Sequence, residues 1–478
     1  MPDSPAPSFA QKSDVGVTEA AVSFITSSRY ENIPSDAISL SLRCMVDTVG
    51  LYAAGLREPS TRIVIEGAED DGGRPDTFLL SRGEKRVPAQ AAARVLGQSA
   101  HSHDFDDTQV SRDPAHVYGL LTHPSTAPLS ATIAIADSLP AITGKDFVTA
   151  FNTGFEVSCK ISEWLKPDHY LRGHHSSGTV ATFGAAASAA WLLKLDQQQT
   201  AHALGLAAAM AAGVRCSFGT MAKPWHVARA SENGVLASLM AKRGFTADPH
   251  SLDGRWGFPE VLAGGFTKEK LSQGFGSTWS IVEPGVSIKP YPSGILTHQA
   301  MDMVLELVRD NDVKPDDVAR VDFYAGDNIL NPIRYHRAEN GLQAKFSMAA
   351  LISMLILYRR AGVSEFEDSV VQSDAFQAMQ SKISTHVDPQ INAMGFDLIR
   401  SRIEVTLKSG TVLTAEADTR YRGGPDFPIS DAELEEKYRL CCDRVDPSVQ
   451  DRILKSIRDL PHLTDARELL DALRLITD

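Results

Sequence analysis

The sequence predicts a mainly helical protein with a smaller α+β unit late in the chain. Three observations carry this. Apolar residues recur at three- and four-residue steps through most of 17–277, as one face of a helix requires. Strand-like alternation replaces that period between about 278 and 425. The C-terminal segment then returns to a helical pattern.

The elements follow in order. Ser35 is the expected N-cap of a helix in which Ile38, Leu42, Met45 and Val49 share a face. Helices are expected at 125–141 and 143–165. The Ala/Gly-rich stretches 177–194 and 198–214 read as central helices, because small side chains let helix axes approach closely. A further helix is expected at 229–243, with Gly244 as its stop. In the α+β unit, 320–324 reads as a strand and 402–417 as a hairpin turning at Ser409-Gly410. Helices are expected at 296–309, 342–360 and 430–438, and 421–428 is a loop that could carry the chain back to the helical part.

At 478 residues, two or three domains are expected, since a domain takes about 100–200. A hydrophobic content of 43% and a charged content of 22% exclude a wholly disordered or fibrous chain. The net charge of −13 argues against a nucleic-acid partner or an anionic membrane surface. It does not exclude a small anionic substrate, because a few cations in one cleft reverse the local field. The five cysteines are odd in number and form no CxxC, so neither a disulfide framework nor a zinc site is expected, and a cytoplasmic setting fits. The first residues, rich in Pro, Ser and Asp, lack the basic and apolar regions of a signal peptide. The apolar runs 179–193 and 201–214 fall short of the ~20 residues of a membrane span.

Five segments place polar residues where a helical core would not. In HSHDFDDT (101–108) three carboxylates crowd together. Read alone, this is best a solvated loop. Its sharper readings are a site of perturbed acids, a metal cluster, or the DxDxT of a phosphatase, which needs a strand before Asp104. In 122–125, His123 precedes a proline and is held extended or in a turn. In 173–179, His175 and two serines precede an Ala-rich helix whose start could bind an anion. In 218–226, Lys223 precedes a proline, which should fix it extended beside Trp225 and suit it to clamp a carboxylate. In 287–294, Lys289 lies in a stiff two-proline loop at the entry to the second unit, followed by His298.

Together, HDFDDT (103–108), THPS (122–125), GHHSSGTVATFGAAA (173–187), FGTMAKPWHVARASENG (218–234), SIKPYPSG (287–294) and LQAKFSMAA (342–350) resemble the MmgE/PrpD family. Its members include 2-methylcitrate dehydratase, cis-aconitate decarboxylase and iminodisuccinate epimerase. The resemblance implies a large all-helical domain assembled from 17–277 and 427–478. An α+β lid, 278–426, is inserted into it, after a flexible N-terminus at 1–16. It also implies a homodimer, no metal and no organic cofactor.

Carried over, the family's site comprises Asp104, Thr108, His123, His175, Lys223 and Lys289, with Tyr335 as a looser match from the lid. Lys223, Lys289 and Thr108 would bind a small anionic carboxylate. His123 and His175 would transfer protons, since imidazole titrates near neutrality. Asp104 would orient a histidine or act as a second base. The expected activity is a hydro-lyase of a small di- or tricarboxylate, with an epimerase of a substituted succinate or a cis-aconitate-type decarboxylase as alternatives. Two departures bear on the choice. An insertion lies near 111–119, and Gly294 stands where the animal decarboxylase has a histidine, which disfavours decarboxylation.

Overall fold

In a computed structural model, the structure describes residues 16–110, 122–394, 400–418 and 420–477; the insertion at 111–119 and all but the last residue of the 1–16 segment lie outside them. The chain is mainly helical. The Ser176–Leu192 helix runs through the middle, packed on by Thr126–Ser138, Gly144–Trp164 and Ala222–Lys242. Its residues are buried from Ser176 to Ala190. Small residues make that possible. A Cβ on Gly234 would stand 2.4 Å from Ala185 Cβ and 2.5 Å from Ala186 N, so the axes are as close as a side chain-free contact allows. Gly234→Ala should therefore lower stability by about 1 kcal/mol net. Overpacking against backbone costs ~1–3 kcal/mol or more and exceeds the ~1 kcal/mol that alanine gains in helix propensity. Thermal unfolding would show it, and an unchanged or raised Tm would refute the close-contact account.

Apolar side chains gather into two large cores. The first takes residues from Val17 to Ile288 and, from the far end of the chain, Ile429 to Ile476. The C-terminal helix Asp431–Cys441 packs on Ser35–Gly55, placing Tyr438 and Cys441 in this core. The second core takes residues from Tyr291 to Ala417, joined by Phe218. It is built on a four-stranded sheet in the order Ile383–Val387, Val318–Ala325, Ser401–Leu407, Val412–Glu416. The first pair is parallel and the others antiparallel. Ile403 and Val405 point inward, toward the His298–Asp310 helix, while Arg402 and Glu404 alternate outward.

Several elements differ from the sequence reading. Ser35 is the first helical residue, not the cap; Pro34 precedes it. The helix expected from 229 starts at Ala222, because a proline is tolerated in the first turn, where its missing N–H would have had no partner. The helix expected over 342–360 is broken: Gly341–Ala344 ends before Lys345, and Met348–Tyr358 restarts under a Ser347 cap. The strand at Ile383–Val387 and the hairpin pairing Thr77–Phe78 with Arg86–Val87 were not anticipated. By length and composition the Ser35–Gly55 helix would suffice to cross a membrane, but 72% of its apolar window is buried inside the fold. None of the cysteines is paired; four are buried and Cys216 is exposed.

Candidate active site

The Ala89–His101 helix ends at His101, and Phe105 in the loop that follows still packs in the first core. The acidic string that follows is not a solvated loop. Asp104, Asp106 and Asp107 are all buried, and each is compensated. Asp104 takes a left-handed conformation, φ 51°, which aspartate tolerates. Its Oδ1 accepts from Lys223 Nζ at 2.9 Å and from Lys289 Nζ at 3.0 Å. Lys289 Nζ also donates to the Asp104 carbonyl at 2.9 Å. Asp106 accepts from His101 Nδ1 at 2.9 Å and from Thr126 Oγ1 at 2.9 Å. Asp107 accepts from the Ser125 hydroxyl at 2.5 Å and its N–H at 3.2 Å.

These partners fix the histidine tautomers. His101 Nε2 faces Lys223 Nζ at 2.9 Å, and an ammonium can only donate, so His101 is neutral with its proton on Nδ1. His123 Nδ1 is surrounded by acceptors: Asp107 O at 3.0 Å, Asp106 Oδ1 at 3.2 Å and Thr108 Oγ1 at 3.3 Å. The proton sits there, which leaves the Nε2 lone pair facing Asp104 Oδ1 at 3.5 Å. The His123 N–H donates to Ser177 Oγ at 3.0 Å, so that serine holds the histidine backbone and is not an anion site. His175 occupies the cap position of the Ser176–Leu192 helix, and its Nδ1 meets His226 Nδ1 at 3.1 Å.

Burial shapes the ionisation. It pushes His101 down to about 3 and lowers His123 and His175 as well, with Lys223 adding to each, so all three are neutral at pH 7. Burial alone would raise Asp104, but the two lysines outweigh it and hold its carboxyl well below the usual range. Burial lowers Lys223 too, against the pull of Asp104. Asp107, which has no cation on it, is pushed by burial up to about 7. Its folded pKa exceeds its unfolded one, so its contribution to stability is present below about pH 4 and is lost as pH rises toward 7. Asp107→Asn should flatten that part of the stability–pH curve, measured by urea unfolding; an unchanged slope would contradict the assignment.

A small, partly open cavity lies over this cluster. It is lined by Asp104, Thr108, His123, His175, Lys223 and Lys289, and by Tyr170, Phe218, Gly294, Ile295, Leu296, Pro332, Ile333 and Phe346. Six of the seven residues singled out in the sequence thus converge. Tyr335 does not line the cavity. Its hydroxyl donates to Phe218 O at 3.0 Å and its N–H to Phe346 O at 3.1 Å, so it braces two phenyl rings that do. Lys223 is in the first turn of the Ala222–Lys242 helix, not extended. His101 and Tyr170 were missed. His101 stands three residues before Asp104, but a motif match does not reveal that its ring meets that of His123 edge-on, 4.5 Å between centroids.

Asp104 follows a helix and a turn, where a DxDxT phosphatase needs a buried strand, so that reading is withdrawn. His101, His123 and His175 do present nitrogens close enough together for a metal ion, as do His101, Asp104, Asp106 and His123. Lys223, donating to both His101 Nε2 and Asp104, opposes a second cation there.

Family models match both parts of the chain, the MmgE/PrpD N-terminal domain over residues 19–271 and the MmgE/PrpD C-terminal domain over 291–461. Cis-aconitate decarboxylase from Homo sapiens is 26% identical over 472 residues, covering 96% of this chain and 94% of the relative. 2-Methylcitrate dehydratase from Salmonella typhimurium is 24% identical over 456 residues, covering 89% and 90%. The 2-methylcitrate dehydratase of Escherichia coli is 21% identical over 390 residues, covering 76% of each. With both family models matched across most of its length and the site residues gathered in one cavity, this chain belongs to the MmgE/PrpD family.

Proposed function

We propose that the protein is a cofactor-independent lyase that dehydrates a small hydroxylated di- or tricarboxylate, in the manner of a 2-methylcitrate dehydratase. One observation carries this: two buried ammonium groups and two neutral imidazoles share one small cavity, the imidazole rings 6.5 Å apart. Lys223 and Lys289 hold substrate carboxylates and stabilise charge that develops on the carbon beside one of them. His123 Nε2, with its lone pair toward the cavity, takes the C–H proton. The C=C bond forms as the C–O bond breaks, and the departing hydroxide collects a proton from His175 Nε2 to leave as water. Thr108 supports the His123 ring, and Asp104 holds both lysines in place. The lid role of 278–426 and a homodimeric, cytoplasmic enzyme complete the reading.

Lys223→Met and Lys289→Met should each raise KM by ~10–100-fold, since a hydrogen bond to a charged group contributes about 1.5–3 kcal/mol. Steady-state kinetics would check this, and an unchanged KM in both variants would remove the lysines from carboxylate binding.

The test of the reaction is proton NMR of EDTA-treated protein in D₂O with 2-methylcitrate, citrate, cis-aconitate and iminodisuccinate in turn. Alkene signals from a hydroxy acid support the dehydratase. Deuterium entry without elimination would replace it with an epimerase. Loss of CO₂ from cis-aconitate would establish the second reading, a decarboxylase. That reading is favoured by the 26% identity to the human decarboxylase and opposed by Gly294, which leaves no imidazole at that point of the cavity wall.

A further inference from the structure

The site described so far contains no path by which His175 regains a proton. We propose that His226, which does not reach the cavity, is a positioning residue that exchanges His175's proton with solvent and thereby resets it for each turnover. The inference rests on the proposed reading of His175 as a proton donor.

Three observations converge on it. The two imidazoles meet Nδ1 to Nδ1 at 3.1 Å, a hydrogen bond that uses one proton between two ring nitrogens. His175 is buried and lines the cavity, and with Nδ1 engaged, Nε2 is the nitrogen left for substrate. His226 sits in the first turns of the Ala222–Lys242 helix and is only partly buried, so it is the member of the pair with access to water. The close approach is built into the fold. Gly178, in the first turn of the helix that His175 begins, lies so near that a Cβ there would stand 2.9 Å from His226 Cβ and 2.5 Å from Ala212 O.

The proton balance follows from the tautomers. Before transfer, His175 carries its proton on Nε2 and accepts at Nδ1 from His226 Nδ1–H. As Nε2 releases its proton to the leaving hydroxide, the His226 proton crosses to His175 Nδ1, and water supplies a proton to His226 Nε2. The cycle closes in the opposite direction: the proton that His123 took from carbon passes through the product water to His175 Nε2, His175 Nδ1–H returns its proton to His226 Nδ1, and His226 Nε2 releases one to solvent, which restores all three rings. Neither ring becomes an imidazolate, and none needs to become a cation. That matters here because Lys223, His101 and His123, the groups that act most strongly on the pair, all disfavour a cation on it. Burial and Lys223 together push His226 down to about 4, so both rings stay neutral at pH 7.

The test compares wild type with His226→Asn and His226→Leu. The asparagine amide can stand in for Nδ1 and keep the bond to His175, but it cannot pass a proton. Exchange of the His175 ring proton with water, followed by ¹⁵N-histidine NMR, should slow by ~10²-fold in His226→Asn while the ¹⁵N shifts of His175 keep their tautomer. kcat should fall by a similar factor with KM unchanged, within the range of a proton-transfer group. Added imidazole should restore both. His226→Leu should lose the tautomer preference as well. Unchanged exchange and kcat in His226→Asn would overturn the proposal. So would a loss that imidazole fails to restore, since that marks a merely structural role. If wild type turns over none of the four acids, the dehydratase reading fails, and the exchange measurement still decides the relay.

Discussion

Replacing His123 by alanine is expected to lower kcat by ~10²–10⁴-fold, the range a general acid or base contributes, with the fold retained. The expectation rests on how tightly the ring is held. Its Nδ1–H is committed to the Asp107 carbonyl, with Asp106 and Thr108 alongside, so rotation is blocked and Nε2 is presented to the cavity as an acceptor. Burial keeps it neutral, which a base must be before it can act. A glutamine at 123 could mimic the position of Nε2 but is far less basic, so it should be nearly as slow. KM should change little in either variant, because the carboxylate contacts belong to the lysines. Rapid mixing of both variants with the substrate identified by NMR would separate chemistry from binding. A kcat within about threefold of wild type would remove His123 as the base.

Asp104→Ala should have the largest effect on the folded state. Lys223 and Lys289 are buried, with side-chain exposures of 5% and 1%, and both rest on the same carboxylate oxygen. Removing it leaves two buried ammonium groups side by side without the oxygen they share. Breaking a buried ion pair from one side costs ~3–5 kcal/mol, which is a large share of a typical folding free energy. The carboxyl is held low, so this contribution is present at neutral pH and is lost only when pH falls below the usual carboxylate range. A second signature separates this from ordinary core damage. A carboxylate ligand such as citrate can replace the missing negative charge, so it should raise the Tm of the variant more than that of wild type. Loss of less than about 1 kcal/mol, or equal citrate stabilisation of both proteins, would show that the lysines do not depend on Asp104.

The helical core was legible because its signals are local. Ala/Gly-rich periodicity marked the Ser176–Leu192 helix to within a few residues, and the alternation of 402–407 marked a strand. The errors lie where tertiary contacts decide. Nothing local distinguishes the break at Lys345 from continued helix; the chain breaks there and aims Lys345 Nζ at Ser102 O, 3.2 Å away. The Ile383–Val387 strand is short and finds its place only beside Val318–Ala325. At the site, residue types and their order brought out six of the seven named positions. They could not show burial, and so the acidic string read by itself as solvated. Its solvation comes instead from Lys223, Lys289, His101, Ser125 and Thr126, which are brought in from other helices and loops. Tyr335 matched by type alone, and the structure gives it a bracing contact with the cavity wall.

One contact sets when the site can come into being. Lys437 Nζ, near the far end of the chain, pairs with Asp47 at 2.6 Å and donates to the Phe105 carbonyl at 2.9 Å, inside the acidic loop itself. On a ribosome, Asp104 and its neighbours emerge more than three hundred residues before the lysine that anchors their backbone. Lys223 and Lys289 emerge in time to meet Asp104, but the loop that carries it lacks its Lys437 anchor until the C-terminal helices are made. Such long-range closure slows folding. Activity should accordingly appear late and all at once, after the C-terminal helices dock, rather than growing with the length of the N-terminal part.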